Sequence, residues 1–378
     1  MALTTSGASW DSVEHTHTHT HTGIVGMTVI FSRGEPMRTR TSASIVRRIA
    51  AVATAAAVLV TACGSDDETT EGAGTEATSD AGGGAATGGD CAELSGDTIN
   101  IVRNAWTASA IQSEIMKQLI ESELCAPATI VDIDENSMFT GLSDGSLDFV
   151  VELWPSGVVE DEQAFIDDGS VVEVGPLGTT GQIGWFVPSY VVEQYPSLAT
   201  WEGLADPEVA QAFATAETGD KGRFLGTDPS YSQLDEPLVA NLGLPLQVVF
   251  SGSEAATVAE LDSAVAAQKP IIMYWWTPTA AAGKYDLVEV KLPEYTEGCA
   301  DDLAAVACGY PADPLVKLAS AKLQEKNAAV WSMLEKVQIT NDQQLELLPQ
   351  VEIDQRPAAE VAAEWIAANE SVWSAWFA

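Results

Sequence analysis

Two short apolar runs in this chain end in tryptophan close to a proline: Glu152-Leu153-Trp154-Pro155 and Met273-Tyr274-Trp275-Trp276-Thr277-Pro278. Proline lacks the N–H that a strand ladder needs and fixes its own φ, so each run reads as a strand that stops there. The indoles are then left at strand ends, where open α/β sheets bind their ligands. Large π faces in that position suit a cation without strong hydrogen-bond donors, above all a quaternary ammonium. Neighbouring strand residues point to opposite faces, so only one of Trp275 and Trp276 can face a cleft. Of the 10 tryptophans beyond Cys63, Trp331, Trp365, Trp373 and Trp376 fall at amphipathic spacing in a helical C-terminal part and read as core, and Trp201 reads as loop packing.

Other chemistries are poorly served. All 4 histidines lie in the alternating tract His15 to Thr22, which reads as a disposable leader rather than as a metal-binding run. A body without histidine has no Ser-His-Asp or Cys-His catalysis, no histidine-ligated zinc and no histidine pH switch. The pairs Asp132 with Asp134 and Asp301 with Asp302 would serve a glycosidase in principle, but in an acidic chain such pairs arise by chance. The chain has 17 Lys and Arg against 55 Asp and Glu, a net charge of −38, with 12 of the cations after Cys63. That surface argues against nucleic acid and against docking on anionic lipid. The expectation is a protein that is not an enzyme and has no cofactor or metal; a structural envelope lipoprotein, which would not require aromatic residues at strand ends, is a further class.

Arg38, Arg40, Arg47 and Arg48 precede an uncharged apolar run, Ile49 to Val60, and then Thr61-Ala62-Cys63. This order is that of a secretory signal, and its end resembles a bacterial lipobox. Residues 1–62 are therefore read as leader and signal, with Met27 or Met37 as possible starts, and Cys63 as the lipidated first residue of an extracytoplasmic protein anchored to the outer face of the cell membrane. The competing reading is a membrane-anchor helix, for which the apolar run is short. Gly64 to Asp90 has no aromatic residue and cannot bury enough to fold, so residues 63–95 read as lipidated cysteine and flexible tether. Four cysteines follow, Cys91, Cys125, Cys299 and Cys308. Three pairings are open; Cys91–Cys125, pinning the start of the body to the first helix, and Cys299–Cys308, closing a short loop, are expected.

The body must hold the indoles in place. Thr98 to Val102, Ala128 to Ile133 and Leu147 to Leu153 read as strands. Ala108 to Glu123 reads as a helix with Ile111, Ile115, Leu119 and Ile120 on one face, and Ser137 to Ser143 as a short helix. This β-α-β-α-β alternation implies a parallel sheet. Beyond it come a crossing segment at Val171 to Pro176, strands at Ile183 to Val187 and Phe224 to Thr227, an Ala-rich helix at Glu254 to Ala267, and strands at Pro270 to Trp276 and Leu287 to Leu292. Pro314 to Glu335, Asp342 to Leu348 and Ala358 to Phe377 read as helical. Two αβ units joined by crossing strands make two lobes around a ligand cleft.

From Thr98 to Ala378 the chain resembles the substrate-binding proteins of ABC importers for glycine betaine, choline and related quaternary amines. The carrying segments are Asn104-Ala105-Trp106-Thr107, Glu152-Leu153-Trp154-Pro155, Gly184-Trp185-Phe186-Val187-Pro188 and Tyr274-Trp275-Trp276-Thr277-Pro278. The resemblance implies an α/β, two-lobed, type II periplasmic-binding-protein-like fold: lobe I from 96–180 and 289–378, lobe II from 181–288. It implies a monomer that boxes a trimethylammonium between aromatic side chains and delivers it to an ABC permease and its ATPase subunit, in the service of osmoprotection. Carried over by motif, Trp154 and Trp276 are the cage walls, joined by Tyr231 and Trp106, with Trp185 or Phe186 lining the cleft. The chain departs from the family where many members place a carboxylate-holding histidine (here Thr279) and where choline-type members place an aspartate (here Ala108). A ligand carboxylate would then need the free N–H groups of the helix start at Thr107, Ala108 and Ser109, or Arg223, which otherwise reads as a surface or lobe-joining ion pair. An amino acid or proline-like ligand is the alternative, with Asp228 as partner for its ammonium.

Overall fold

The computed structural model describes residue 91 and residues 93–232 and 234–378. The leader, the histidine tract, the lipidation candidate Cys63 and the tether segment Gly64–Asp90 lie outside the described residues. Nine strands follow in chain order: β1 Ile99–Arg103, β2 Ala128–Asp132, β3 Phe149–Leu153, β4 Val171–Pro188, β5 Gly222–Gly226, β6 Leu246–Phe250, β7 Met273–Thr277, β8 Leu287–Val290 and β9 Ala312–Ser320. They form one sheet in the order β2-β1-β3-β9-β4-β7-β5-β6, with β8 paired to β4.

Each end of the sheet is a parallel αβ unit. In the first, β1 pairs with β2 and β3, and the connection from β1 to β2 is the helix α1, Thr107–Glu123. In the second, β5 pairs with β6 and β7, and the crossovers carry helices Asp235–Asn241 and Glu254–Ala266. Parallel neighbours need such crossovers because a tight hairpin cannot join them. Between the units run β4 and β9, antiparallel to each other. β4 belongs to both: Val171–Gln182 is in register with β9, and Gln182–Phe186 with β7.

The apolar faces of the helices close the core. Ile111, Ile115, Leu119 and Ile120 of α1 are all at most 2% exposed, which is the face that the spacing predicts. Helices Asn341–Glu352 and Ala358–Ala368 come back to pack on α1. Helix α2, Glu135–Asp144, starts at Asp134, whose carboxylate accepts the Ser137 N–H, and ends at Gly145 in the left-handed region (φ 79°). Disulfides join Cys91 to Cys125 and Cys299 to Cys308. Among the described residues no helix is long and apolar enough to cross a membrane.

The sequence expectation fails at Pro314 to Glu335. The first part of that stretch is β9, a strand bonded on both sides, and helix begins only at Leu323–Lys326 and Ala328–Lys336. β9 is buried on both faces toward its end, so it has no alternation to read, and pairing with β3 and β4 overrides its local preference. Its Lys317 is fully buried, donating from Nζ to the Val337 carbonyl. The segments at Val171 and Ile183, read as separate, are one continuous strand. β6 and the helix Asp235–Asn241 carried no sequence signal that we read.

Candidate functional site

The carboxyl ends of the parallel strands meet at one small cavity. Its walls are Trp106, just past β1; Glu135, the first residue of α2; Trp154 and Gly157, past β3; Ile183 of β4; Tyr231, past β5; and Tyr274 and Trp276 of β7. It offers about 30 Å³ to the centre of a water-sized sphere. The three indoles and Tyr274 are each less than a tenth exposed. Tyr231 links the two sides: its ring meets Trp106 edge-on at 5.8 Å between centroids and Trp276 edge-on at 5.9 Å. Trp276 also stacks on Trp275, 4.5 Å between centroids at 26°.

Glu152 organises the indoles. Its buried carboxylate accepts the Nε1–H of Trp106 at 2.8 Å and of Trp154 at 3.0 Å, and the side-chain amides of Gln112 at 2.5 Å and Gln344 at 3.1 Å. Burial pushes the Glu152 carboxyl up, and the four N–H donors oppose that rise. Two indoles tied to one acceptor keep their π faces rather than their N–H edges for the cavity. Sequence reasoning passed over Glu152, although a charged residue in the wholly buried strand Phe149–Leu153 is itself a signal. It also passed over Tyr274, which shares a strand face with Trp276 two residues on.

Two polar atoms at the cavity lack hydrogen-bond partners among the described residues: Glu135 Oε1 and the Tyr231 hydroxyl. Burial, then the carboxylates of Glu162, Glu152 and Asp313, push Glu135 up to about 8. At neutral pH it is largely a neutral acid and a hydrogen-bond donor. No lysine or arginine lines the cavity.

The start of α1 is occupied. Its N-cap is Trp106, which supplies no side-chain bond. Instead Glu254, from the second unit, accepts the Thr107 N–H at 2.8 Å and the Thr107 hydroxyl at 3.0 Å. Burial lifts this carboxyl to about 7. Ser109 Oγ accepts the Asn104 N–H.

The structure thus brings together Trp106, Trp154, Tyr231 and Trp276, and leaves other sequence candidates outside. Trp185 is fully buried, donates to Asp235 Oδ1 at 2.7 Å and packs on Phe224 at 4.7 Å; neither it nor Phe186 lines the cavity, and Ile183, nearer the strand end, takes that place. Thr107, Ala108 and Ser109 do not line it either, because Glu254 and the turn itself use that helix start. Arg223 is turned to Glu260 in a two-pronged pair at 2.5 and 2.9 Å. Asp228 is not a wall residue; it accepts the Ser230 N–H at 2.9 Å.

Two αβ units, two crossing strands and a cavity at the facing strand ends define a two-lobed solute-binding protein of the periplasmic type. The model of the substrate-binding domain of ABC-type glycine betaine transport systems matches residues 97–368, and the chain belongs to that family, one of extracytoplasmic binding proteins rather than enzymes. It is similar to the trimethylamine N-oxide-binding protein of Pelagibacter ubique (strain HTCC1062), 27% identical over an alignment of 284 residues that covers 73% of this chain and 89% of that protein. Among solved structures it resembles the glycine betaine/L-proline-binding protein of Borrelia burgdorferi (TM-score 0.61, 18% identity, covering 75% of this chain and 97% of that one). It likewise resembles an ABC-transporter choline-binding protein in complex with choline (TM-score 0.60, 15% identity, 74% and 92%). These likenesses at low identity concern the fold.

Proposed function

We propose that this protein captures a methylated ammonium compound in the cavity, with Trp106, Trp154, Tyr231, Tyr274 and Trp276 as cage walls, and hands it to the permease and ATPase of an ABC importer while held by lipid at Cys63 on the outer face of the membrane. The observation that carries the proposal is five aromatic side chains around one small cavity without a basic residue. A cation whose charge is spread over methyl groups needs no carboxylate clamp; each ring face contributes about 0.5–2 kcal/mol, more when dry. Burial of methyl groups adds about 0.8 kcal/mol each, and the sum reaches the roughly 8 kcal/mol of micromolar binding. The names of the relatives, which bind trimethylamine N-oxide, glycine betaine or choline, point to the same class. The tightness of the cavity favours a compact trimethylated head.

The test is titration calorimetry of the full chain with choline, trimethylamine N-oxide, glycine betaine, proline and other amino acids. Trp154→Ala and Trp276→Ala are each expected to weaken methylammonium binding at least tenfold while the protein stays folded. Unchanged affinity in both variants, or binding of amino acids alone, defeats the proposal.

A further inference from the structure

Glu254 begins its own helix, yet that helix is capped locally by Ser253, whose hydroxyl accepts the Ala256 N–H. The Glu254 carboxylate is therefore free to cross to the other unit, where it meets the start of the 17-residue helix α1 at Thr107. A helix N-terminus is where a ligand anion gains most from backbone N–H groups and the helix dipole. Here that place adjoins the cage wall Trp106 and is filled by a side chain that is itself 7% exposed. The carboxyl groups of Glu152 and Glu352 stand around it. Two polar groups on the cavity wall, the carboxyl of Glu135 and the phenol of Tyr231, each have an atom without a hydrogen-bond partner among the described residues.

We propose that Glu254 is a specificity-determining residue: it occupies the helix start beside the cage wall Trp106 with the protein's own carboxyl group, so that the site selects methylated ammonium compounds without a carboxylate, such as choline or trimethylamine N-oxide, over glycine betaine. A ligand carboxylate would meet no lysine or arginine on the cavity wall, and would lie among carboxyl groups. A hydroxyl or an N-oxide oxygen instead finds Glu135 and Tyr231, the two wall groups with an atom unpartnered among the described residues. This rests on the methylammonium-binding proposal and goes beyond it by naming which members of the class are accepted and which residue refuses the rest.

The experiment is calorimetry of choline, trimethylamine N-oxide and glycine betaine against the full chain and its Glu254→Ala and Glu254→Gln variants. In the unaltered protein, choline or trimethylamine N-oxide is expected to bind at least tenfold more tightly than glycine betaine. Glu254→Ala, which frees the Thr107 N–H, is expected to strengthen glycine betaine binding about tenfold and so narrow the preference. Glu254→Gln, which keeps the shape and removes the charge, is expected to fall between. Thermal melting checks that the variants fold; a preference unchanged in a folded Glu254→Gln protein overturns the inference even where Glu254→Ala does not fold. Glycine betaine binding as tightly as the other two in the unaltered protein overturns the inference alone. Binding of none of the three overturns the underlying proposal as well.

Discussion

Glu152 and Gly181 decide where two indoles of the cavity wall stand. Glu152 fixes two indoles by their N–H edges, and Gly181 makes room for one of them. A Cβ added at Gly181 would lie 2.2 Å from the Trp154 ring atoms Cη2 and Cζ3, far inside van der Waals contact. Trp154 cannot simply retreat, because its Nε1 is held by Glu152. Gly181→Ala is therefore expected to tilt the Trp154 wall, weakening choline or trimethylamine N-oxide binding at least tenfold and costing about 1–3 kcal/mol of stability, as overpacking does. Calorimetry and denaturant melts check both; unchanged affinity would mean that Trp154 is not a wall. The proline-terminated tryptophans were legible in the sequence, since proline and indole are both visible there. Gly181 was not, because its role exists only once β4 lies alongside the end of β3.

At the scale of elements, the first αβ unit was legible nearly to the residue. Its strands are short and apolar, its helices are amphipathic, and α2 carries a proper cap at Asp134 and stop at Gly145. β9 was misread because a central strand between two antiparallel neighbours is buried on both faces, and Lys317 within it disguises that burial. The start of α1 held a subtler signal. A helix whose N-cap is tryptophan has no local acceptor for its first N–H groups. Such a start needs an acceptor from elsewhere, and we assigned that role to a ligand anion. Glu254 supplies it from 147 residues away in sequence, a distance over which no local pattern in the chain connects the two groups.

The molecule as a whole holds buried protons. Burial is the largest cause that lifts Glu135 and Glu352 to about 8, Glu254 to about 7 and Asp235 to about 6. In the unfolded chain these groups titrate near pH 4–4.5. Between those values and about pH 8 the native state keeps protons that the unfolded chain has released, so stability falls as pH rises. The contribution is complete below the ordinary carboxyl range and is lost as pH passes through the folded values. Lys317, lowered by burial to about 8, acts oppositely, but only above that pH. The melting temperature is therefore expected to be higher at pH 5 than at pH 7.5 by at least about 2–4 °C, equivalent to about 1 kcal/mol for a body of this size. A flat profile or a rise toward pH 7.5 in scanning calorimetry would refute this.

The stack of Trp275 on Trp276 gives the whole molecule an optical property. Two indoles 4.5 Å apart and 26° from parallel share their electronic excitation, and in a chiral setting such a pair splits its ultraviolet circular dichroism band into a couplet. Trp275 is held by Thr279 through a 2.8 Å hydrogen bond, while Trp276 turns to the cavity. One chromophore of the couplet is thus a fixed reference and the other is a cavity wall, so a cation bound there would register in the native spectrum, without a label.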